Sequence, residues 1–139
     1  LRRNGADITR VRKMFRDDLD AYRAKAETIR RAEVYREYFA IARFPDVDIA
    51  SPTIIGAQAA NEMLNISGIK ASFVLTRYRG KIYISARSID EVNVQLVMER
   101  MGGGGHMSTA GAQVPHSDMD EAIATLKLTI DEMLEGGDI

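Results

Sequence analysis

The sequence predicts a small α/β domain in which a mixed β-sheet is flanked by helices and preceded by an amphipathic linker helix. Three observations support this class. A charged N-terminal segment carries apolar residues at helical spacing. Apolar, β-branched runs then alternate with helix-like segments, and a run of four glycines lies among them. Strands and helices that alternate around one core are typical of an α/β fold.

The composition is that of one ordinary globular domain. The chain has 139 residues, of which 45% are hydrophobic and 28% are charged. Its formal net charge of −1 argues against a strongly basic surface that coats nucleic acid. The absence of cysteine from the sequence excludes thiolate zinc sites, iron–sulfur clusters and cysteine nucleophiles. No apolar run approaches the roughly 20 residues of a membrane-spanning helix.

The N-terminal quarter reads as a linker. It begins without a methionine or an apolar signal core, so we expect the chain to be a piece of a longer protein. From Ile8 to about Val34, apolar residues recur every three or four positions, which predicts one amphipathic helix or two with a break near Asp17-Asp18. A short coiled coil is the alternative. We assign residues 1–37 to a helical linker and residues 38–139 to the folded domain.

Turn and cap residues divide the next part of the chain into elements. Residues 39–44 form an apolar run that ends at a proline, which predicts a strand. Ser51-Pro52 predicts a helix start, with serine as N-cap and proline in the first turn, and Ser67-Gly68 predicts its end. Two apolar runs within residues 71–87 are joined by Arg79-Gly80 and predict a β-hairpin.

Two further helices and a short strand are predicted in the last third. Residues 88–91 have the spacing of a capping box, which predicts that Ser88 caps a helix from about Ile89 to Met101. A glycine loop and a short strand follow. Ser117 is predicted to cap a last helix that ends at Gly136-Gly137. The apolar stripe of this helix is Met119, Ile123, Leu126, Ile130 and Met133.

The most informative segment is the glycine run from Gly102 to Gly105. Glycine loses more backbone freedom on folding than any other residue, so four in a row need a physical reason. One reason is close approach of backbone N–H groups to an anion such as phosphate. The alternatives are a helix end, for which Gly102 alone suffices, and a flexible linker. The small apolar residues around the run favour a ligand loop.

Two side chains beside the glycine run are candidates to contact the same anion. His106 closes the run, and its ring can donate an N–H to a phosphate oxygen; a structural hydrogen bond is the alternative. Arg87 ends the preceding strand, where a guanidinium can hold phosphate through two parallel hydrogen bonds. Its alternative is a surface ion pair with Asp90 or Glu91. His116 lies in a predicted turn and is assigned no role.

Within residues 85–113, four segments form a distinctive set: Ser85-Ala-Arg-Ser88, Val92-Asn-Val-Gln95, Gly102-Gly-Gly-Gly-His106 and Ala110-Gly-Ala-Gln113. Together they resemble the DHH-associated, C-terminal domain of DHH-family phosphoesterases, whose N-terminal domain carries Asp-His-His metal ligands. The branch that the chain most resembles is the membrane-tethered cyclic-di-AMP phosphodiesterases of the GdpP type. A linker helix and an alanine-rich helix, here residues 57–60, are part of that likeness, which covers roughly residues 7–136.

The resemblance implies a reaction and a binding site. The family hydrolyses phosphodiesters with manganese-type ions bound in its first domain, and the GdpP type opens cyclic di-AMP to the linear dinucleotide. The resemblance implies that phosphate is contacted by the side chains of Arg87 and His106 and by the backbones of Gly103, Gly104 and Gly105. The sequence has no Asp-His-His triplet. We therefore expect no catalytic residue and no metal ligand in this chain, which alone would be inactive.

The resemblance also implies partners and a location. We expect an N-terminal DHH domain of the same protein as partner and a cyclic dinucleotide or short oligonucleotide as substrate. The full-length protein is expected to be bacterial, to act on the cytoplasmic side and to be anchored to the cell membrane.

Three alternative functions stay open. A hydrolase of nanoRNA or phosphoadenosine phosphate would use the same half-site on a linear nucleotide. A related glycine-rich domain of alanyl-tRNA synthetases binds RNA, a function that favours basic residues near the loop; this chain has none between His106 and Gln113. The third is a structural domain that forms a homodimer through the apolar stripe from Ile8 to Ile29.

Overall fold

The computed structural model describes residues 19–89, 91–115 and 118–139. They form one mixed, six-stranded sheet with helices on both faces, which confirms the predicted α/β class. Residues 19–30 form helix α1. The other helices are α2 (Pro52–Met63), α3 (Val94–Arg100) and α4 (Met119–Glu135). The strands are β1 (Glu33–Tyr35), β2 (Phe39–Arg43), β3 (Ala71–Tyr78), β4 (Lys81–Ser88), β5 (Gly104–Gly105) and β6 (Thr109–Val114).

The order of the strands across the sheet is β1-β2-β3-β4-β6-β5. β2 and β3 are parallel and are connected through α2, as parallel neighbours require a crossover. The other neighbouring pairs of the described sheet are antiparallel. β4 and β6 therefore lie side by side, and the glycine strand β5 forms one edge.

The two faces of the sheet are covered differently. Under α3 and α4 lies the larger core, which includes Phe73, Ile84 and Leu126. On the opposite face, α1 and α2 pack on the first half of the sheet through residues such as Ala59 and Val74. Because α2 packs mainly on β3 and β4, β6 and β5 border an open cleft on this face.

The linker helix ends earlier than its apolar pattern predicts. α1 ends at residue 30, and Val34 lies in strand β1, which pairs with β2. The turn between them has positive φ at Arg36 and Glu37, of 52° and 71°. The break near Asp17-Asp18 lies outside the described residues. The division into residues 1–37 and 38–139 stays a prediction, although the sheet itself begins ahead of that limit, at Glu33.

The capping box predicted at Ser88 is wrong. Ser88 is the buried last residue of β4, and its hydroxyl donates to the Val92 carbonyl oxygen at 2.6 Å. Its backbone N–H donates to the Ser108 carbonyl oxygen at 3.0 Å, so pairing with the chain beyond the glycine run holds it in the strand. α3 instead begins at Val94, and its N-cap Asn93 accepts the Leu96 N–H.

Most of the other predicted limits are confirmed. The hairpin turn has positive φ at Arg79 and Gly80, as a two-residue type I′ turn requires. Pro52 occupies the first turn of α2, but Ser51 makes no side-chain capping bond, and the helix ends at Met63, before Ser67-Gly68. Asp118 caps α4; Ser117 lies outside the described residues. All five residues of the predicted α4 stripe are buried.

Candidate functional site

The glycine run begins as the end of helix α3. Gly102 has a φ of +87°, and its N–H donates to the Glu99 carbonyl oxygen at 3.1 Å. The next N–H, of Gly103, donates to the Met98 carbonyl oxygen at 2.8 Å. These two bonds form a Schellman motif, which satisfies carbonyl groups at the helix C-terminus. The helix-end alternative therefore accounts for Gly102.

Gly103 and Gly105 lie too close to β6 to carry a side chain. A Cβ on Gly103 would lie 2.0 Å from the Gly111 carbonyl oxygen, and one on Gly105 would lie 2.5 Å from the Ala110 Cα. Gly105 also has a φ of +142°. Strand β5 pairs with β6 at Gly104 and Gly105, and Gly103 directly precedes it. Close packing of one backbone on another, which the sequence analysis did not weigh, requires glycine at both places.

Gly104 is the exception within the run. A Cβ built on it would meet no atom within 4 Å, and its φ does not lie in the left-handed region. It pairs with Gly111, which in turn pairs with Ser85 of β4. Neither the backbone conformation nor the packing of the described residues requires glycine here. Close approach of a ligand to the backbone is the remaining reason that the sequence analysis named.

His106 stands at the start of a turn that the backbone holds in place. Its own N–H donates to the Thr109 carbonyl oxygen at 2.7 Å. Met107 and Ser108 carbonyl oxygens accept the N–H groups of Val94 and Ser88 at 2.9 and 3.0 Å. The imidazole of His106 is exposed. The turn thus presents this side chain to solvent from an anchored backbone.

Arg87 lies in β4 opposite Thr109 of β6. Its side chain is half-buried, and its Nη1 donates to the Ala86 carbonyl oxygen at 2.9 Å and to that of Ala110 at 3.5 Å. Burial lowers the pKa of Arg87, although an arginine remains charged. Of its predicted alternative partners, Glu91 pairs with Lys70 instead, at 2.6 Å, and Asp90 lies outside the described residues. Within the described chain, no carboxylate neutralises Arg87.

The strand register brings the predicted residues to one part of the sheet. Arg87 pairs with Thr109, whose carbonyl oxygen accepts the His106 N–H. Gly104 pairs with Gly111, two residues farther along the same strand. A cation, an exposed imidazole and an open stretch of glycine backbone therefore lie close to one another, which is a suitable arrangement for an anionic ligand. Gly103 and Gly105 hold this segment against β6.

A cleft of about 540 Å³ continues from the glycine run over the open face of the sheet. Tyr83, Ser85 and Gln113 contribute to its walls, and Thr53 from the first turn of α2 lies at its side. Neither Tyr83 nor Gln113 was predicted from the sequence as a site residue. The alternating pattern of β4, in which every second residue is buried, places Tyr83 on the same face as Arg87 and was a usable signal.

A second cleft, of about 370 Å³, lies on another part of the molecule, between β2 and α4. It contains the guanidinium groups of Arg43 and Arg77, but these pair with Asp120 and Asp46. The charges of these two arginines are therefore already compensated by carboxylates, in contrast to that of Arg87, while Arg31 also lines this cleft.

Two general features of the described residues bear on cofactors and membranes. In residues 19–89, 91–115 and 118–139, no three histidine, aspartate or glutamate side chains are grouped in a way that could hold a metal ion. None of the helices in these ranges is long and apolar enough to cross a lipid bilayer. His116 lies outside the described residues.

Residues 39–132 match the family model of the DHHA1 domain. This chain belongs to the DHHA1 domain family. The DHHA1 chain is 41% identical over 138 residues to the cyclic-di-AMP phosphodiesterase GdpP of Geobacillus thermodenitrificans (strain NG80-2). That match covers 99% of the chain and 21% of the relative, so the chain spans about a fifth of the length of the curated protein. The predicted resemblance is confirmed.

Solved structures share the DHHA1 fold. An exopolyphosphatase-related protein from Bacteroides fragilis superposes with a TM-score of 0.73 at 20% identity, over 81% of this chain and 34% of that chain. The C-Ala domain of Aquifex aeolicus alanyl-tRNA synthetase gives a TM-score of 0.53, also at 20% identity, over 71% of this chain and 96% of that chain. At these identities the likeness shows the fold alone.

Proposed function

We propose that this DHHA1 domain is the substrate-binding half of a metal-dependent phosphodiesterase that hydrolyses cyclic di-AMP to the linear dinucleotide. The observation that carries the proposal is the placement of Arg87, the Gly104 backbone and the exposed His106 side chain around one open part of the sheet. The substrate is supported by the 41% identity to a cyclic-di-AMP phosphodiesterase over 99% of the chain.

Each of these groups has a distinct part in holding the phosphodiester. Arg87 supplies positive charge and N–H donors in a half-buried position, where a charge-assisted bond is stronger than in water. Gly104 lets a phosphate reach the backbone without meeting a side chain. His106 donates from the anchored turn. Together they bind and orient the phosphate, while the bond-breaking step takes place between this domain and a second one.

The proposal assigns the second half of the active site to an N-terminal DHH domain of a longer bacterial protein, anchored to the cytoplasmic side of the membrane. Divalent metal ions of the manganese type, bound in that domain, would supply an activated water for attack on phosphorus. The residues of this chain would contribute orientation, which lowers the entropic part of the barrier. We therefore expect the chain alone to bind substrate weakly and to turn over none.

The test compares the full-length protein with the 139-residue chain. Both are incubated with manganese and cyclic di-AMP, the products are separated by chromatography, and binding is measured by calorimetry. We expect the linear dinucleotide from the full-length protein alone. Metal-dependent turnover by the purified chain would refute the division of the site, and a full-length protein that leaves cyclic di-AMP intact would refute the substrate.

The same assay separates the alternative functions. Short RNA and phosphoadenosine phosphate are supplied as competing substrates, and a higher specificity constant for either would favour the linear-nucleotide hydrolase. The turn that follows the glycine run, residues 106–108, contains no lysine or arginine, which weakens the RNA-binding alternative. Light scattering of the chain tests the homodimer, and a monomer that binds nucleotide would exclude a purely structural domain.

A further inference from the structure

The open face of the sheet carries side chains that the proposed phosphate contacts do not use. Tyr83, Ser85 and Arg87 lie on this face of β4, because the residues that alternate with them are buried in the core. Their partners on β6 are Gln113, Gly111 and Thr109, in the same order.

These three pairs follow one another along the two strands, from the aromatic side chain of Tyr83 at one end to the cationic side chain of Arg87 at the other. Tyr83 and Arg87 are four residues apart, or about 13 Å along a strand, which is comparable with the extended length of a nucleoside monophosphate. Between them, Ser85 and Gly111 are small and leave a flat floor. The cleft above this floor is lined by Tyr83, Ser85, Gly111 and Gln113 but not by Arg87. Its volume of about 540 Å³ is in the usual range for a small-molecule site.

Tyr83 is half-buried, and its ring contacts that of a tyrosine on the neighbouring strand. Its neighbour Tyr78 packs against it edge to face, with 6.1 Å between ring centroids and 60° between the ring planes. Partial burial and this contact restrict the ring, which reduces the freedom that it loses when a ligand binds. Because every nucleobase has a flat π-face, a ring at the wall of the cleft is a suitable stacking partner.

Gln113 stands opposite Tyr83 in the register and is exposed. Its amide has both donors and an acceptor, and no other described residue hydrogen bonds to its side chain. A glutamine amide matches the N6/N7 edge of adenine, which offers one donor and one acceptor. The corresponding edge of guanine offers two acceptors, so the amide oxygen would face an unfavourable group.

We propose that Tyr83 and Gln113 form a nucleobase subsite that prefers adenine, in which the base stacks on Tyr83 and its edge bonds to Gln113. The proposal rests on the proposed function, because the base reaches this end of the cleft only when its phosphate lies near Arg87 and Gly104. It adds the feature that would distinguish an adenine nucleotide from any other phosphate ester.

The test uses the 139-residue chain, labelled with ¹⁵N and titrated separately with AMP, GMP and ribose 5-phosphate. We expect all three to shift the amide signals of Gly104 and His106. AMP and GMP should also shift the amide signals of Tyr83 and Gln113. Ribose 5-phosphate should not shift these two signals. AMP should bind about 10-fold more tightly than GMP, the size of one bidentate base contact.

Two variants separate the two contacts. Tyr83→Ala should lower the affinities for AMP and GMP alike, by about 5- to 150-fold, and leave the affinity for ribose 5-phosphate unchanged. Tyr83→Phe should keep the wild-type affinities. Gln113→Ala should abolish the preference for AMP over GMP. Gln58→Ala is the matched control, since Gln58 is exposed on α2 and does not line the cleft.

The outcomes distinguish this inference from the proposed function. Equal affinities for AMP and GMP would overturn the adenine preference. Equal affinities for AMP and ribose 5-phosphate, with no shift at Tyr83 or Gln113, would overturn the subsite and leave the phosphate site standing. If none of the three compounds shifts Gly104 or His106, the phosphate site itself is wrong.

Discussion

Gly103 lies so close to Gly111 that a Cβ on Gly103 would stand 2.0 Å from the Gly111 carbonyl oxygen. A Cβ placed in the same way on its neighbour Gly104 would have no atom within 4 Å. Two consecutive glycines therefore serve different purposes. Gly103 allows β5 to pack on β6, whereas Gly104 keeps a stretch of backbone open. This difference makes it possible to separate folding from binding by single substitutions.

Gly103→Ala should destabilise the domain, while Gly104→Ala should leave its stability unchanged and impair nucleotide binding. The first puts a methyl group against backbone, which costs about 1–3 kcal/mol of unfolding free energy. The second adds a methyl group in open space, where surface changes stay within about 0.5 kcal/mol. Urea denaturation and calorimetry with cyclic di-AMP measure the two effects. Normal binding by Gly104→Val, in which a branched side chain covers the backbone, would show that the segment is structural.

Arg87→Ala should weaken use of cyclic di-AMP by the full-length enzyme without unfolding the domain. Loss of a charge-assisted bond costs about 1.5–3 kcal/mol, or about 10- to 150-fold in kcat/KM. Arg87→Lys should retain only part of the wild-type kcat/KM, because an ammonium group cannot form two parallel hydrogen bonds to phosphate. Arg30→Ala is the control, since Arg30 pairs with Glu27 on the exposed side of α1. Unchanged kinetics in well-folded Arg87→Ala would exclude the phosphate contact.

His106→Ala should lower the affinity for substrate by about 10-fold, the effect of one lost bond to a charged group. The backbone bond from His106 to Thr109 does not involve the imidazole, so the turn and the melting temperature should be preserved. His106→Asn, which keeps a side-chain N–H donor, should restore part of the affinity. The other histidine of the sequence supplies the control, His116→Ala. Equal affinities of wild type and His106→Ala would leave the imidazole without a role.

Tyr35→Phe should destabilise the domain by about 1 kcal/mol at neutral pH, through loss of the bond from the phenol to Asp131. The hydroxyl donates to both carboxylate oxygens, at 2.8 and 2.7 Å, and ties β1 to α4. Denaturation in urea measures the loss. Tyr22→Phe is the control: its side chain is 63% exposed, so the free energy of unfolding should not change. An equally stable Tyr35→Phe would show that this bond does not contribute.

The same pair predicts a pH dependence. Hydrogen bonding to Asp131, followed by burial, raises the pKa of Tyr35 above its ordinary value. A group with a raised folded-state pKa contributes stability that is complete below the unfolded pKa of about 10 and is lost as the pH rises through the folded value. The stability difference between wild type and Tyr35→Phe should therefore shrink in strongly alkaline solution. A constant difference from pH 8 to pH 11.5 would contradict the assignment.

The sequence by itself determined the elements that depend on near neighbours. The stripe of α4 and the hairpin turn at Arg79 and Gly80 follow from spacing and turn chemistry over a few residues. Because helix periodicity and a type I′ turn act locally, these elements were predicted correctly. The glycine–histidine motif also identified the family, since such a run is rare enough to be specific without any knowledge of the fold.

Only the tertiary structure decided which residues meet. Ser88 extends a strand rather than capping a helix, because its N–H bonds to Ser108 across the glycine run. Position 103 requires glycine because the Gly111 carbonyl oxygen lies against it. Arg87 and His106 come to the same part of the sheet because each pairs with Thr109, from opposite sides of β6. Tyr83 and Gln113 share a cleft because α2 packs mainly on β3 and β4 and leaves this part of the sheet open. Each relationship joins residues that local propensity treats as unrelated, and it forms only when pairing and burial across the sheet offset the entropy of closing the intervening chain.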